Sequence, residues 1–341
     1  MRTSTPSPLP DAGSRAPLLG GPAASAGMLL VLSGGPTVTL AVLTSGTVFG
    51  GLHWSPTILH LHEYLWAAAA ALQMLWLTRL LHTRLSAPHH TPGHRVAAVT
   101  GLVCVGALVL GGPVLHLTFS GPADLLVRSV LLAWLACEVC WRHGIPLSAP
   151  AEAADPFTRW HTLWEQTLLV MSYCCAGVAP VFIAVHALRW TEADRLPVMQ
   201  TDQATALGVS GSIELLLALP WTIVLEGVVI GTVSMLLHAA GRPAWQIYPA
   251  IGIPEVVFHA YFGLPAVLMA LYAVLCARFY LRHHRLAPLL LGHAVFDLPG
   301  ALTATHSLAE KLPYMAAVGI ALFAIDRWFD THAERRLPPA V

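Results

Sequence analysis

Charged side chains are scarce in this chain of 341 residues. Asp, Glu, Lys and Arg make up 11% of the sequence, whereas an average soluble domain carries about 25%. Lysine occurs once, at Lys311, and the acidic and basic residues balance to a formal net charge of zero. So few charges cannot cover a water-facing surface, and a neutral chain lacks the basic surface that nucleic acids require. We therefore exclude an ordinary soluble domain and expect no nucleic acid as a partner.

Cysteine is also sparse, and its placement argues against metal or redox chemistry. All six cysteines lie in apolar segments, where Cys usually acts as a small hydrophobic residue. Cys137 and Cys140 form a single CxxC without a second pair. His53, His60 and His62 cluster near the end of a predicted span rather than on facing helices, so haem ligation is disfavoured. The sequence indicates no metal and no cofactor.

Apolar residues are correspondingly abundant. They make up 56% of the sequence, and the mean hydropathy is +0.65. We predict an all-α polytopic membrane helix bundle with about ten transmembrane helices, because each apolar segment is long enough for a ~30 Å hydrocarbon core. Pro220 leaves open whether its segment is one kinked helix or two pieces. The predicted spans are 28–50, 58–79, 96–118, 123–141, 165–187, 207–239, 245–262, 264–282, 286–304 and 311–328.

Composition divides the chain into four parts. Residues 1–26 are rich in Pro, Ser, Gly and Ala, which predicts a disordered cytoplasmic tail. Residues 27–190 hold the N-terminal transmembrane helices, and 205–306 form a core that carries the polar motifs. Residues 307–341 are predicted to be the last transmembrane helix and a cytoplasmic tail.

The basic residues predict the topology. An excess of basic residues marks the cytoplasmic loops of membrane proteins, which here predicts a multi-pass cell-membrane protein with both termini in the cytoplasm. Arg128 lies inside a span, four residues after Asp124, and is expected to pair with it. The outer loops hold only Arg189, Arg195 and Lys311. The cytoplasmic side holds Arg2, Arg15, Arg79, Arg84, Arg95, Arg142, Arg159, Arg242, Arg278, Arg282, Arg285, Arg327, Arg335 and Arg336.

Ionisable residues recur deep in the last apolar segments. Glu226, His259 and His293 lie on three successive segments, and Asp297 follows His293 by one helical turn. Such residues are costly in a membrane and usually have a function. A carboxylate and two imidazoles that meet inside a bundle could activate water. Glu255 lies one turn before His259 on the same face and is a supporting candidate.

The segments around these residues resemble a known family. Residues 293–297, HAVFD, have the form His-x-x-x-Asp, and the preceding run ARFYLRHHRLAPLLLG is similar to the usual approach to that motif. An aromatic-Gly turn follows His259. Together these runs resemble the CPBP family of intramembrane endopeptidases, which includes CAAX prenyl proteases and bacteriocin-processing or immunity proteins. The first motif departs from the family, because Glu226 stands alone where a Glu-Glu pair and an Arg are expected.

The resemblance implies a mechanism and a substrate class. Glu226 would be the general base and His259 would orient the water that attacks a peptide bond. His293 would donate to the oxyanion, and Asp297 would fix the His293 tautomer. The substrate would be a peptide or membrane protein at the bilayer, and hydrolysis would need no metal.

Alternatives remain open from the sequence alone. Glu255 and His259 could themselves be a decayed first motif, with His283 or His284 as the second. The degenerate motif also allows a catalytically inactive immunity or scaffold protein. A transporter with a polar path is a third class, but transporters commonly contain paired repeats, and we find none in the sequence.

Overall fold

The computed structural model describes residues 20–85, 92–114, 122–148, 155–191, 196–200, 211–302 and 308–334. In these residues the only extended pairing is an isolated bridge between Val198 and Gly263, so the all-α prediction is confirmed. The helices are α1 (Pro22–Gly50), α2 (Pro56–Leu85), α3 (Pro92–Val114), α4 (Pro122–Arg142), α5 (Pro156–Trp190), α6 (Ser212–Ala239), α7 (Ala244–Phe258), α8 (Met269–His283), α9 (Leu286–Leu302) and α10 (Leu308–Glu334).

Within the described residues, five helical segments are long and apolar enough to cross a membrane. They are α1, α2, α5, α6 and the stretch Leu264–His283, which contains α8. The prediction of about ten spans therefore stays a prediction. Large apolar side chains point outward, including Val31 at 68% exposure and Ile213 at 73%. Apolar patches of this kind mark a surface that meets lipid or a partner.

The first five helices each begin with proline. Proline suits the first helical position because the N–H that it lacks would have no partner there. At α5, Asp155 adds a cap and accepts hydrogen bonds from the backbone N–H groups of Phe157 and Thr158. These starts precede the predicted spans, and α1 includes residues 22–26 of the predicted tail. Residues 1–19 of that tail lie outside the described part of the chain. The helix-starting residues are Pro22, Pro56, Pro92, Pro122 and Pro156.

Helix α6 runs through Pro220 without a break, so its described part is one helix. Directly after Glu226 it changes to a π-helical segment, Gly227–Val233, in which all seven residues are buried. Segments of this kind are rare and often occur at functional sites, because the extra residue per turn changes where side chains point.

Helix α7 ends earlier than its predicted span. It stops at Phe258, and His259 and the following residues form two short 3₁₀ turns, Ala260–Phe262 and Leu264–Leu268. Gly263 joins the turns with a φ of 78°, a conformation that favours glycine. A Cβ on Gly263 would lie 1.8 Å from the carbonyl oxygen of Pro197. The segment 196–200 thus packs directly on the turn that follows His259.

The expected ion pair on α4 is present. Arg128 Nε donates to Asp124 Oδ2 at 2.5 Å, and its guanidinium lies 5.0 Å from the centre of the Trp66 ring. Arg128 also donates to the backbone carbonyl of Trp66. A buried cation is stable only with such partners, so this Arg links α4 to α2.

Candidate active site

Two glycines bring α8 and α9 into close contact with α5. A Cβ on Gly177 would lie 2.3 Å from the Tyr272 Cβ, and a Cβ on Gly292 would lie 2.6 Å from the Val170 Cβ. Larger residues at these two positions would push the helices apart. Because both positions are glycine, α8 and α9 pack directly on α5. This close packing fixes the positions of Tyr272 and of His293, the residue after Gly292.

A third glycine brings α6 close to α9. Gly227 follows Glu226 and opens the π-helical segment, and a Cβ there would lie 2.4 Å from Leu290 Cδ2. Glu226 is therefore held opposite the part of α9 that carries His293. The sequence places a glycine beside each of these two polar residues.

The carboxylate of Glu226 meets His293 and Tyr272. His293 Nδ1 lies 3.0 Å from Glu226 Oε2, and the Tyr272 hydroxyl donates to the same oxygen. The hydroxyl also lies 3.4 Å from His293 Nδ1. Glu226 and His293 are each 8% exposed. At such buried positions, hydrogen bonds to a charged group are strong and hold the group in place.

His293 lies between two carboxylates. Its Nε2 is 2.8 Å from Asp297 Oδ2, while Nδ1 faces Glu226. Carboxylates accept hydrogen bonds, so the doubly protonated ring satisfies both contacts. The expected contact between Asp297 and His293 is present. Both ring nitrogens of His293 are engaged in these contacts.

His259 and Glu255 form a second pair across the site. His259 Nδ1 lies 2.9 Å from the backbone carbonyl oxygen of Glu255. A carbonyl only accepts, so Nδ1 carries the proton and Nε2 keeps a lone pair. The ring stacks on Phe262 with 6° between the planes, which holds its orientation.

Glu255 is the more deeply buried of the two glutamates. It is 0% exposed, and neither carboxylate oxygen makes a hydrogen bond within the described part of the chain. Its Oε2 lies 3.8 Å from His259 Nδ1. A buried polar group without a hydrogen bond is costly, so an additional group between these side chains would stabilise it.

The two pairs enclose a small centre. One oxygen of Glu226, one oxygen of Glu255 and one ring nitrogen of His259 lie within 4.8 Å of one another. An atom placed among them would be roughly 2.8 Å from each or closer, which is hydrogen-bond range. A single water molecule or ion at that position would therefore reach all three side chains.

The centre opens on a cavity of about 960 Å³. Most of its wall is apolar and comes from α1, α5, α6 and α9, and Glu255 lies behind the lining. The volume is at the upper end of ordinary ligand pockets. Five polar residues of the site line it, namely Glu226, His259, Tyr272, His293 and Asp297.

The two glutamates differ in their contact with the histidine of α9. Glu226, rather than Glu255, contacts His293. His283 and His284, which the competing alignment requires, do not line the cavity. The geometry therefore brings Glu226 to His293 and leaves His283 and His284 outside the cavity lining.

Other polar candidates from the sequence lie elsewhere. His62 contacts Thr39 Oγ1 at 2.8 Å and accepts from Trp66 Nε1 at 3.0 Å. Cys137 and Cys140 are free thiols. Sequence reasoning missed Tyr272, because no motif marks it and tyrosine is common at membrane helix ends.

No family model, no curated protein and no solved structure matches this chain.

Proposed function

We propose that this protein is a multi-pass membrane hydrolase, an intramembrane endopeptidase of the CPBP type, in which Glu226 activates water for attack on a peptide bond. The observation that carries the proposal is the position of the Glu226 carboxylate. His293 and Tyr272 hold it at the cavity wall, and one ring nitrogen of His259 lies within 4.8 Å of one of its oxygens. A base within reach of one water is the geometry that general-base catalysis needs.

The water is positioned from two sides. Glu226 accepts its proton, and the lone pair on His259 Nε2 accepts a second hydrogen bond that aims the oxygen into the cavity. The contacts that the described residues make to Glu226 use Oε2, which leaves Oε1 for the water. Holding the nucleophile in one orientation before attack removes a large part of the entropic barrier.

The developing oxyanion needs donors beside this water. The Tyr272 hydroxyl and the Nδ1–H of His293 are the donors closest to Glu226. As Glu226 takes the water's proton its negative charge falls, so these donors turn toward the new charge on the substrate oxygen. Asp297 holds the far side of the ring through Nε2.

The substrate enters from the bilayer in this proposal. The five helical segments of membrane-crossing length and the outward-facing apolar residues support a cell-membrane location. The mostly apolar cavity suits an extended segment of a membrane-associated peptide. The arginine distribution supports cytoplasmic termini.

Comparing peptide ends in membranes tests the proposal. Membranes are prepared from cells that express the wild type, Glu226→Gln or Glu165→Gln, and new N-termini are labelled and identified. Glu165 is the matched control, because it lies on α5 with 59% of its side chain exposed and outside the cavity lining. We expect N-termini that occur with the wild type and Glu165→Gln and disappear with Glu226→Gln.

Two results would contradict the proposal. Identical N-termini in all three membranes would favour the immunity or scaffold alternative. Complete loss of cleavage after dialysis against a chelator, with recovery on adding metal, would show that a metal rather than the carboxylate activates the water.

A further inference from the structure

We infer that Glu226, Glu255 and His259 form a binding site for one divalent transition-metal cation, which occupies the place of the catalytic water and inhibits hydrolysis. Two carboxylate oxygens and one imidazole nitrogen within 4.8 Å of one another make a compact donor set. A cation among them would need only small side-chain movements to reach metal–ligand distances of about 2.0–2.2 Å.

The unpartnered Glu255 carboxylate points to a ligand at this centre. Both of its oxygens are buried without a hydrogen bond in the described part of the chain, yet one of them faces Glu226 and His259. The proposed hydrolysis positions its water with Glu226 and His259 and gives this carboxylate no role. A dication satisfies it and is neutralised by the two carboxylates together.

The hydrogen bond of the His259 ring leaves its Nε2 available to a metal. Ligating histidines usually donate their second N–H to a carboxylate or a backbone carbonyl, which fixes the tautomer. His259 donates Nδ1–H to the carbonyl oxygen of Glu255 at 2.9 Å. The mixed oxygen and nitrogen donors favour Zn²⁺ or Co²⁺ over Ca²⁺, which prefers six or more oxygens.

Metal binding is measured without any substrate. The full chain is purified without a histidine tag and titrated with Zn²⁺ alone by calorimetry, and with Co²⁺ alone by visible absorption. The sequence contains eighteen histidines, so variants must separate this site from weak background binding. Glu255→Gln and His259→Ala each remove one ligand, and His186→Gln removes a cavity-lining histidine outside the cluster.

We expect one tight metal site in the wild type and in His186→Gln. Its affinity should fall at least about tenfold in Glu255→Gln and in His259→Ala. Even groups outside the ligand set change affinity by roughly 10–100-fold. Thermal unfolding of each variant verifies that it is folded, and Glu255→Asp should restore part of the affinity. Equal affinity in all variants, or an equal loss in His186→Gln, would overturn the site.

The inhibitory effect rests on the proposed function and is tested separately. Zn²⁺ should reduce cleavage with the same midpoint as binding. Stimulation by Zn²⁺ would overturn inhibition while leaving the site intact. A chain that cleaves nothing but still binds one Zn²⁺ would refute the proposed function and support the site.

Discussion

Glu226 Oε2 and His293 Nδ1 lie 3.0 Å apart, although their residues belong to different helices. With Tyr272 as a second partner, the carboxylate has one fixed orientation at the cavity wall. In the proposed mechanism, this contact is the reason for choosing Glu226, of the two glutamates, as the base.

Replacing Glu226 with Gln should reduce cleavage by a factor on the order of 10²–10⁴, the usual contribution of a positioned base. The amide has the same size but cannot take a proton from water. The check is the initial rate of cleavage of a peptide taken from the N-terminal comparison. Glu165→Gln should keep the wild-type rate, and an unchanged rate in Glu226→Gln would remove this residue from the chemistry.

Replacing Tyr272 with Phe removes only the hydroxyl that donates to Glu226. A hydrogen bond to a charged group contributes about 1.5–3 kcal/mol, so the rate should fall roughly 10–150-fold. Tyr280→Phe is the matched control, since it is on the same helix and donates to the Leu147 carbonyl at 2.6 Å. Equal rate losses in both variants would mean that the hydroxyl acts only through folding.

The ionisable residues of the site could be predicted from the sequence, whereas their partners could not. Glu226, His259 and His293 are conspicuous because charge is rare in apolar segments. Tyr272 is not, because only the close approach at Gly177 brings it to Glu226. The contact of Glu226 rather than Glu255 with His293 also depends on the fold, since in the sequence Glu255 is the one close to a histidine, His259.

Helix boundaries were predictable only in part. The length of an apolar segment indicates which residues could lie in lipid. Helix α5 nevertheless begins at Pro156, nine residues before its predicted span, because Asp155 caps it. Helix α7 stops at Phe258, and the chain then continues through 3₁₀ turns to Gly263, whose positive φ favours glycine. A helix cap can therefore start a helix before its apolar segment begins, and a turn can end a helix before that segment ends.

Replacing Gly177 with Ala should destabilise the fold. The added Cβ would lie 2.3 Å from the Tyr272 Cβ and 2.8 Å from its Cα, so the backbone of α8 must move. Overpacking of this kind costs about 1–3 kcal/mol. The measurement is thermal unfolding in detergent, together with the cleavage rate. Gly35→Ala on α1 is the control, because nothing lies within 4 Å of its added Cβ, and a lower melting temperature for that variant alone would contradict the packing argument.

The topology prediction is tested by reporter fusions. Fusions after Arg195 and after Val341 should report opposite sides of the membrane, because the basic residues place the first outside and the second in the cytoplasm. A reporter active only in the cytoplasm and one active only outside give complementary signals. The same side at both positions would refute the odd number of predicted spans that separates them.

Substitutions of Asp297 test how the His293 ring is held in place. In a Ser-His-Asp triad, Asn in place of Asp is damaging because the ring's other nitrogen must accept a proton and Asn stabilises the wrong tautomer. Here the other nitrogen faces the Glu226 carboxylate, so both nitrogens donate and an amide oxygen can replace the carboxylate at 2.8 Å. Asp297→Asn should therefore keep cleavage within about tenfold of the wild type, whereas Asp297→Leu leaves Nε2–H without an acceptor and should lose about 10–100-fold. Initial rates of both variants, with thermal unfolding as the control for folding, make the comparison. If Asn is as damaging as Leu, the negative charge of Asp297 is required, and His293 is held by electrostatic attraction rather than by a hydrogen bond.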